Sequence, residues 1–144
     1  MSDLINILIV DDSANDVEFT LAALAKAKFA NDFSVVSDGI EAMQYLRQQG
    51  KFAQAKRPSL VLLDLNMPRK DGREVLIEIK GDPLLRNIPV VILTTSQAEE
   101  DVLRTYDIGA NCFISKPVDL HQLIKVVQAI DEFWFGVVHL PVVK

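Results

Sequence analysis

The sequence predicts a doubly wound α/β domain, in which a five-stranded parallel sheet carries helices on both faces. Short apolar runs rich in β-branched residues alternate with segments of helical periodicity. Continuous apolar runs are typical of strands that are buried on both faces. Because crossovers between parallel strands are right-handed, five such strand–helix units leave few other arrangements.

Five runs are predicted to be strands. Three are continuous and apolar, at residues 6–10, 60–63 and 90–93, and residues 33–36 and 112–114 are weaker versions. The segments that follow show the helical spacing of apolar residues. These helical positions are Val17, Leu21, Leu24, Met43, Leu46, Val75, Leu76, Ile79, Val102, Leu103, Tyr106, Leu120, Leu123, Ile124, Val127 and Ile130. Together the units predict a flavodoxin-like (βα)5 fold.

Turn residues support this division. Ser13 is a predicted N-cap of the first helix, and Gly50 is a predicted end of the second. Pro58 and Pro89 each stand just before a predicted strand. The boundaries between elements therefore agree with the apolar pattern.

Composition narrows the possible classes of protein. The chain has 144 residues, of which 49% are hydrophobic and 24% charged, as expected of one globular domain. Its longest apolar run, residues 21–25, is too short to span a membrane. A net charge of −5 would repel a phosphate backbone, which argues against nucleic-acid binding. A single cysteine, Cys112, and a start without a secretory signal predict a cytoplasmic protein.

Polar residues follow the predicted strands at the points where the strands end. Asp11 and Asp12 follow the first strand, Asp64 the third, Thr94 the fourth, and Lys116 the fifth. The carboxyl ends of parallel strands meet at one edge of the sheet, where such folds bind ligands. Three carboxylates, a hydroxyl and an ammonium group are therefore expected to lie together.

The chemistry of this set points to a metal and a phosphoryl group. Crowded carboxylates raise one another's pKa values unless a cation neutralises them. Oxygen ligands without nearby Cys or His favour Mg²⁺ or Mn²⁺, and Mg²⁺ commonly also binds phosphate oxygens. A carboxylate can itself be the nucleophile that forms an aspartyl phosphate, with Lys116 balancing charge and Thr94 donating to a phosphoryl oxygen.

These residues resemble a known family. Asp11-Asp12, the stretch at residues 64–72, Thr94 and Lys116-Pro117 are similar to the motifs of receiver domains of two-component response regulators. Thr94 follows Asp64 by 30 residues and Lys116 follows Thr94 by 22, as expected in that family. The resemblance covers essentially residues 5–131 and implies the CheY-like form of the flavodoxin-like fold.

The resemblance implies a role for each site residue. Asp64 would accept a phosphoryl group from a sensor histidine kinase. Asp12 would bind Mg²⁺ directly, Asp11 mainly through water, and Asn66 through its backbone carbonyl. Lys116 would pair with the phosphoryl group. Such a protein is not an enzyme in the usual sense, because it catalyses only phosphoryl transfer to itself and the later loss of that group.

The resemblance also implies a conformational switch. Thr94 would turn toward the phosphoryl group, and Phe113 would swing into the space that Thr94 vacates. The switch would be transmitted through the predicted fourth helix, fifth strand and fifth helix.

The domain organisation predicted is a receiver at residues 1–132 and an apolar extension at residues 133–144, with no output domain. Aromatic-rich apolar patches commonly mark protein interfaces. We therefore expect a homodimer in which this extension completes the interface, and an output that is a protein contact. The candidate interface residues are Phe133, Trp134, Phe135, Val138 and Leu140. The extension and the loop at residues 50–58 also look like those of stand-alone receivers that serve cyanobacterial phytochrome kinases.

Three alternatives remain open. A receiver fold could act only as an interaction scaffold without being phosphorylated. A magnesium-dependent phosphohydrolase could also use an Asp nucleophile, but typically needs a second Asp where this chain has Asn66. A flavodoxin-like electron carrier is disfavoured, because Asp11 and Asp12 would repel a flavin phosphate.

Overall fold

A computed structural model of the chain describes residues 5–26, 31–65, 67, 69–94, 112–115, 121 and 125. Strands and helices alternate along it, as the apolar pattern predicts. The elements are β1 (Ile5–Val10), α1 (Ala14–Lys26), β2 (Asn31–Val36), α2 (Gly39–Leu46), a 3-10 helix (Gly50–Phe52), β3 (Leu60–Asp64), α3 (Gly72–Gly81), β4 (Val90–Thr94) and β5 (Cys112–Ser115).

The five strands form one parallel sheet in the order β2–β1–β3–β4–β5. The chain adds β2 on one side of β1 and then crosses over to add β3 on the other side. This reversal makes the carboxyl ends of β1 and β3 the topological switch point, where doubly wound folds bind ligands. The predicted fold class is confirmed.

The two faces of the sheet bury different residues of the same strands. In β1, Leu8 and Val10 belong to a core cluster that also contains buried residues of α2 and α3. Ile7 and Ile9 belong to a second cluster, which contains buried residues of α1. Both clusters include residues of β3 and β4, so these central strands are covered on both sides. This double burial explains why their sequences are apolar without alternation.

Helix boundaries follow local capping, with one difference from the sequence prediction. Ser13 precedes α1, and its side chain accepts a hydrogen bond from the backbone N–H of Asp16 at 3.3 Å. The second helix ends at Leu46, before Gly50. Two residues beyond this end, Gln48 has a left-handed backbone, with φ of 57°. Its side-chain amide donates to the carbonyl of Ala55 at 2.8 Å.

The predicted fourth and fifth helices lie outside the described residues, apart from His121 and Lys125, which are helical and exposed. The C-terminal extension also lies outside them. Among the described residues, no helix has the length and apolar character needed to cross a membrane.

Candidate functional site

Three carboxylates meet at the switch point of the sheet. Asp11 and Asp12 follow β1 directly, and Asp64 is the last residue of β3. The two strands are neighbours, and Val10 is opposite Leu63, so the acids lie at the same level. One carboxylate oxygen from each of the three residues lies within 4.8 Å of the others.

The cluster combines buried and exposed acids. Asp11 and Asp64 are 2% and 5% exposed, whereas Asp12 is exposed. Carboxylates this close repel one another unless a cation or a proton lies among them. Three hard oxygen donors with one open side fit Mg²⁺ or Mn²⁺, which keep waters and substrate oxygens as further ligands. The three carboxylates predicted to hold a divalent cation are therefore brought together.

The turn after β1 fixes the position of Asp11. Its backbone N–H donates to the carbonyl of Val36 at the end of β2, at 3.0 Å. Its carboxylate Oδ1 accepts a hydrogen bond from the backbone N–H of Ser13, also at 3.0 Å. Because Ser13 in turn caps α1, the carboxylate is held between a strand and a helix start.

The start of α3 packs directly against the backbone of Asp64. The N–H of Gly72 donates to the carbonyl of Leu65 at 3.0 Å. A Cβ atom at Gly72 would lie only 2.2 Å from the backbone oxygen of Asp64, so only glycine fits here. Asp71 and Glu74 form a capping box that begins the helix at this point.

Sequence reasoning missed a third buried acid, which follows the neighbouring strand β2. Asp38 follows β2, is 7% exposed and accepts hydrogen bonds from the backbone N–H of Glu41 and from the Arg69 guanidinium. Burial alone would raise the pKa of Asp38, but these hydrogen bonds and the charge of Arg69 outweigh it and hold the pKa below its ordinary value. An acid followed by glycine after a predicted strand was the signal for this helix cap.

The other predicted site residues are placed in part. Thr94 ends β4 and is opposite Ser115 at the end of β5, while Leu93 is opposite Asp64. The backbone of Thr94 therefore lies one residue beyond the level of Asp64, on the neighbouring strand. Phe113 is opposite Ile92 in β5.

Several predicted residues lie outside the described part of the chain. They are Asn66, Lys116 and the interface candidates Phe133, Trp134, Phe135, Val138 and Leu140.

Comparison with known proteins shows which family the chain belongs to. A sequence model of the response regulator receiver domain matches residues 7–128. Response regulator Rcp1 from Synechocystis sp. PCC 6803 is 46% identical over 135 residues, which cover 94% of this chain and 92% of Rcp1.

Solved structures give the same result. The phosphorylated cyanobacterial phytochrome response regulator RcpA is 50% identical, with a TM-score of 0.78 over 91% of this chain and 94% of RcpA. The Mn²⁺-bound form of Rcp1 is 45% identical, with a TM-score of 0.77 over 93% of this chain and 96% of Rcp1.

The match over most of the chain defines the class of protein. This chain belongs to the family of response regulator receiver domains. It is a signalling protein with the role of a phosphoryl acceptor, related to response regulator Rcp1 and to the cyanobacterial phytochrome response regulator RcpA.

Proposed function

We propose that this protein is a single-domain response regulator that accepts a phosphoryl group on Asp64 in a Mg²⁺-dependent reaction. The observation that carries the proposal is the cluster of Asp11, Asp12 and Asp64 carboxylates at the switch point. Asp64, at the end of β3, is proposed as the nucleophile because it stands where the receiver-domain motif has its phosphoacceptor. The alignment with Rcp1 covers 92% of that response regulator, so the comparison extends over nearly its whole length.

In the proposed reaction, a carboxylate oxygen of Asp64 attacks the phosphorus of a phosphohistidine. A new P–O bond forms, the P–N bond breaks, and the imidazole nitrogen leaves with the electron pair and takes up a proton. Asp12, Asp64 and the Asn66 carbonyl would hold Mg²⁺, and Asp11 would act mainly through water. The cation would supply positive charge that lowers the repulsion between nucleophile and phosphoryl oxygens. The buried position of Asp64 limits access of water to the product.

Thr94, Lys116 and Phe113 are proposed to act after transfer. Lys116 would pair with a phosphoryl oxygen, and the Thr94 hydroxyl would donate to another. Support for Thr94 comes from its place at the end of the strand next to β3. Phe113 would then move toward the space left by Thr94 and so change the surface that a partner reads.

The proposed donor is a sensor histidine kinase of the bacterial phytochrome class. RcpA supports this proposal, because it is 50% identical to this chain and is a cyanobacterial phytochrome response regulator. Such ATP-dependent kinases would place the reaction in the cytoplasm. Phosphoryl transfer from a purified phytochrome kinase, faster than from an unrelated histidine kinase, would test this assignment.

The direct test uses a small phosphodonor and intact mass. Wild-type protein incubated with acetyl phosphate and Mg²⁺ should gain one labile phosphoryl group, and Asp64→Asn should gain none. Asp32→Asn, which changes an exposed acid on β2, is the matched control and should behave as wild type. Uptake by Asp64→Asn would show that another residue is the acceptor. No uptake by folded wild type, from acetyl phosphate or a kinase, would leave a scaffold as the function.

We also propose that residues 133–144 complete a homodimer interface, formed with the fourth-helix, fifth-strand and fifth-helix face. The support is the apolar sequence of this extension, which includes Phe133, Trp134 and Phe135. Deletion of residues 134–144 should convert a dimer into a monomer in light scattering, whereas an unchanged dimer mass would contradict the proposal.

A further inference from the structure

Two polar contacts connect the loop after β2 to the loop after β3. The Arg69 guanidinium donates to Asp38 Oδ2 through Nε at 3.0 Å and also through Nη2. The backbone N–H of Gly39 donates to the carbonyl of Lys70 at 3.1 Å. We call these two contacts the Asp38–Arg69 clamp.

The clamp passes beside the acidic cluster. Because β1 lies between β2 and β3 in the sheet, a link between the loops after β2 and β3 must pass the carboxyl end of β1. Asp11 and Asp12 follow β1 at that place. Asp64 ends β3, so the loop that carries Arg69 is the one that continues from the third acid.

The local backbone is shaped for this contact. Arg69 has a φ of 65°, a left-handed conformation that is unfavourable for residues other than glycine. A Cβ atom at Gly39 would lie 2.2 Å from the carbonyl oxygen of Lys70, so only glycine allows the loops to approach this closely. Strained backbone persists where surrounding contacts enforce it, and such strain is concentrated at functional sites.

The Asp38 end of the clamp is rigid. Asp38 is almost fully buried, and its Oδ1 accepts a hydrogen bond from the N–H of Glu41 at 2.8 Å at the start of α2. Its Oδ2 accepts the hydrogen bond from the Arg69 guanidinium. The guanidinium is therefore held by a carboxylate that is itself fixed to a helix.

From this geometry we infer that Arg69 is a positioning residue for the divalent cation. By holding the loop after β3 against the start of α2, Arg69 sets the spacing between Asp64 and the acids that follow β1. Arg69 itself need not touch the cation or the phosphoryl group. The inference rests on the proposed function, because it assigns a role in the Mg²⁺ site described above.

The test measures cation affinity rather than stability. Mn²⁺ and Mg²⁺ are titrated calorimetrically into wild type, Arg69→Asn, Arg69→Lys and Arg47→Asn. Asn is chosen because it tolerates a left-handed backbone. Arg47 is the matched control, since it forms ion pairs with Glu78 and Asp82 that connect α2 to α3.

Arg69→Asn should weaken cation binding about tenfold, as loss of a group that orients metal ligands typically does. Arg69→Lys keeps the charge and should recover part of the affinity, and Arg47→Asn should bind as wild type. Phosphoryl uptake by Arg69→Asn from acetyl phosphate should be slow at low Mg²⁺ and return to the wild-type maximum at high Mg²⁺. Loss of folded protein alone would instead lower the number of sites in the titration and leave their cation affinity as in wild type.

Two results would overturn the inference: wild-type cation affinity in folded Arg69→Asn, or an equal loss of affinity in Arg47→Asn. If Arg69→Asn does not fold, Arg69→Lys and Asp38→Asn are compared with wild type instead. Wild-type cation affinity in both of these variants would then overturn the inference. Failure of the wild type itself to bind either cation or to take up a phosphoryl group would instead contradict the proposed function.

Discussion

The interior of a strand and its carboxyl end place very different groups in buried positions. In β1, residues from Ile7 to Val10 are fully buried and apolar, and the next residue, Asp11, is buried and acidic. β3 shows the same change from Leu63 to Asp64. Burial of the aliphatic side chains stabilises the fold, whereas burial of neighbouring carboxylates opposes it. The strand interiors thus stabilise the fold. The acids at the carboxyl edge of the sheet destabilise it, and their proposed role is to bind a cation.

The largest effect on stability is expected inside the sheet. Leu62→Ala should lower the free energy of unfolding by about 3 kcal/mol, because it removes a fully buried side chain from a central strand. Urea denaturation measures the loss. The folded variant should still take up a phosphoryl group from acetyl phosphate. A loss below about 1 kcal/mol would show that the core adapts around this position.

A smaller loss of stability is expected at Gly72, which packs against the backbone at the end of β3. Gly72→Ala should cost about 2 kcal/mol, because the new Cβ would contact the backbone oxygen of Asp64. Unlike Leu62→Ala, it should also weaken Mg²⁺ binding, since the displaced atom belongs to Asp64, the proposed phosphoacceptor. Gly81→Ala is the matched control: its Cβ would meet nothing within 4 Å, so it should stabilise the protein slightly. Equal effects of the two substitutions would contradict the proposed steric cause.

At the carboxyl edge of the sheet, a substitution is expected to raise the free energy of unfolding instead of lowering it. Without a divalent cation, Asp12→Asn should raise the free energy of unfolding by about 1 kcal/mol, because one of three adjacent negative charges is removed. Added Mg²⁺ should stabilise wild type and have little effect on the variant. Thermal denaturation with EDTA and with Mg²⁺ measures both parts. A variant that is less stable than wild type in EDTA would show that repulsion does not dominate the cluster.

Sequence patterns predicted the fold because its signals are local and repeated. Each central strand is buried on both faces, so its apolar run is visible without any knowledge of its neighbours. The doubly wound arrangement was predictable because right-handed crossovers leave few other arrangements. The end of α2 was harder, because the left-handed conformation there belongs to Gln48, and a side-chain hydrogen bond to Ala55 accompanies it.

The acidic cluster was predictable for a related reason. Asp11, Asp12 and Asp64 directly follow strands, and parallel strands bring their carboxyl ends together. The Asp38–Arg69 clamp could not be predicted in this way. It connects residues 31 positions apart through two loops, and it depends on a left-handed Arg69 and on a close approach at Gly39 that apolar periodicity does not encode.

The smallest effect on stability is expected at Glu41, an acid in the first turn of α2 whose charged form is stabilised by hydrogen bonds. The Glu41 carboxylate accepts a hydrogen bond from the backbone N–H of Ser37 at 3.0 Å and pairs with Lys51 at 3.4 Å. The Ser37 N–H is the main cause that lowers the pKa of Glu41 below its ordinary value of 4.5. Unfolded chains therefore bind this proton at a higher pH than folded ones. The contribution to stability is complete above pH 4.5 and is lost as the pH falls through the lower folded pKa.

Urea denaturation of wild type and Glu41→Gln, at neutral and at acid pH, checks this contribution. At neutral pH the variant should be less stable by about 1 kcal/mol or less, and the difference should shrink in acid. Lys51→Ala should keep most of the pH dependence, because the backbone N–H of Ser37 remains. If Lys51→Ala abolished it, the ion pair would be the dominant partner. Glu41 would then depend on a neighbouring charge, as the acids of the metal site do, instead of on the backbone of its own loop.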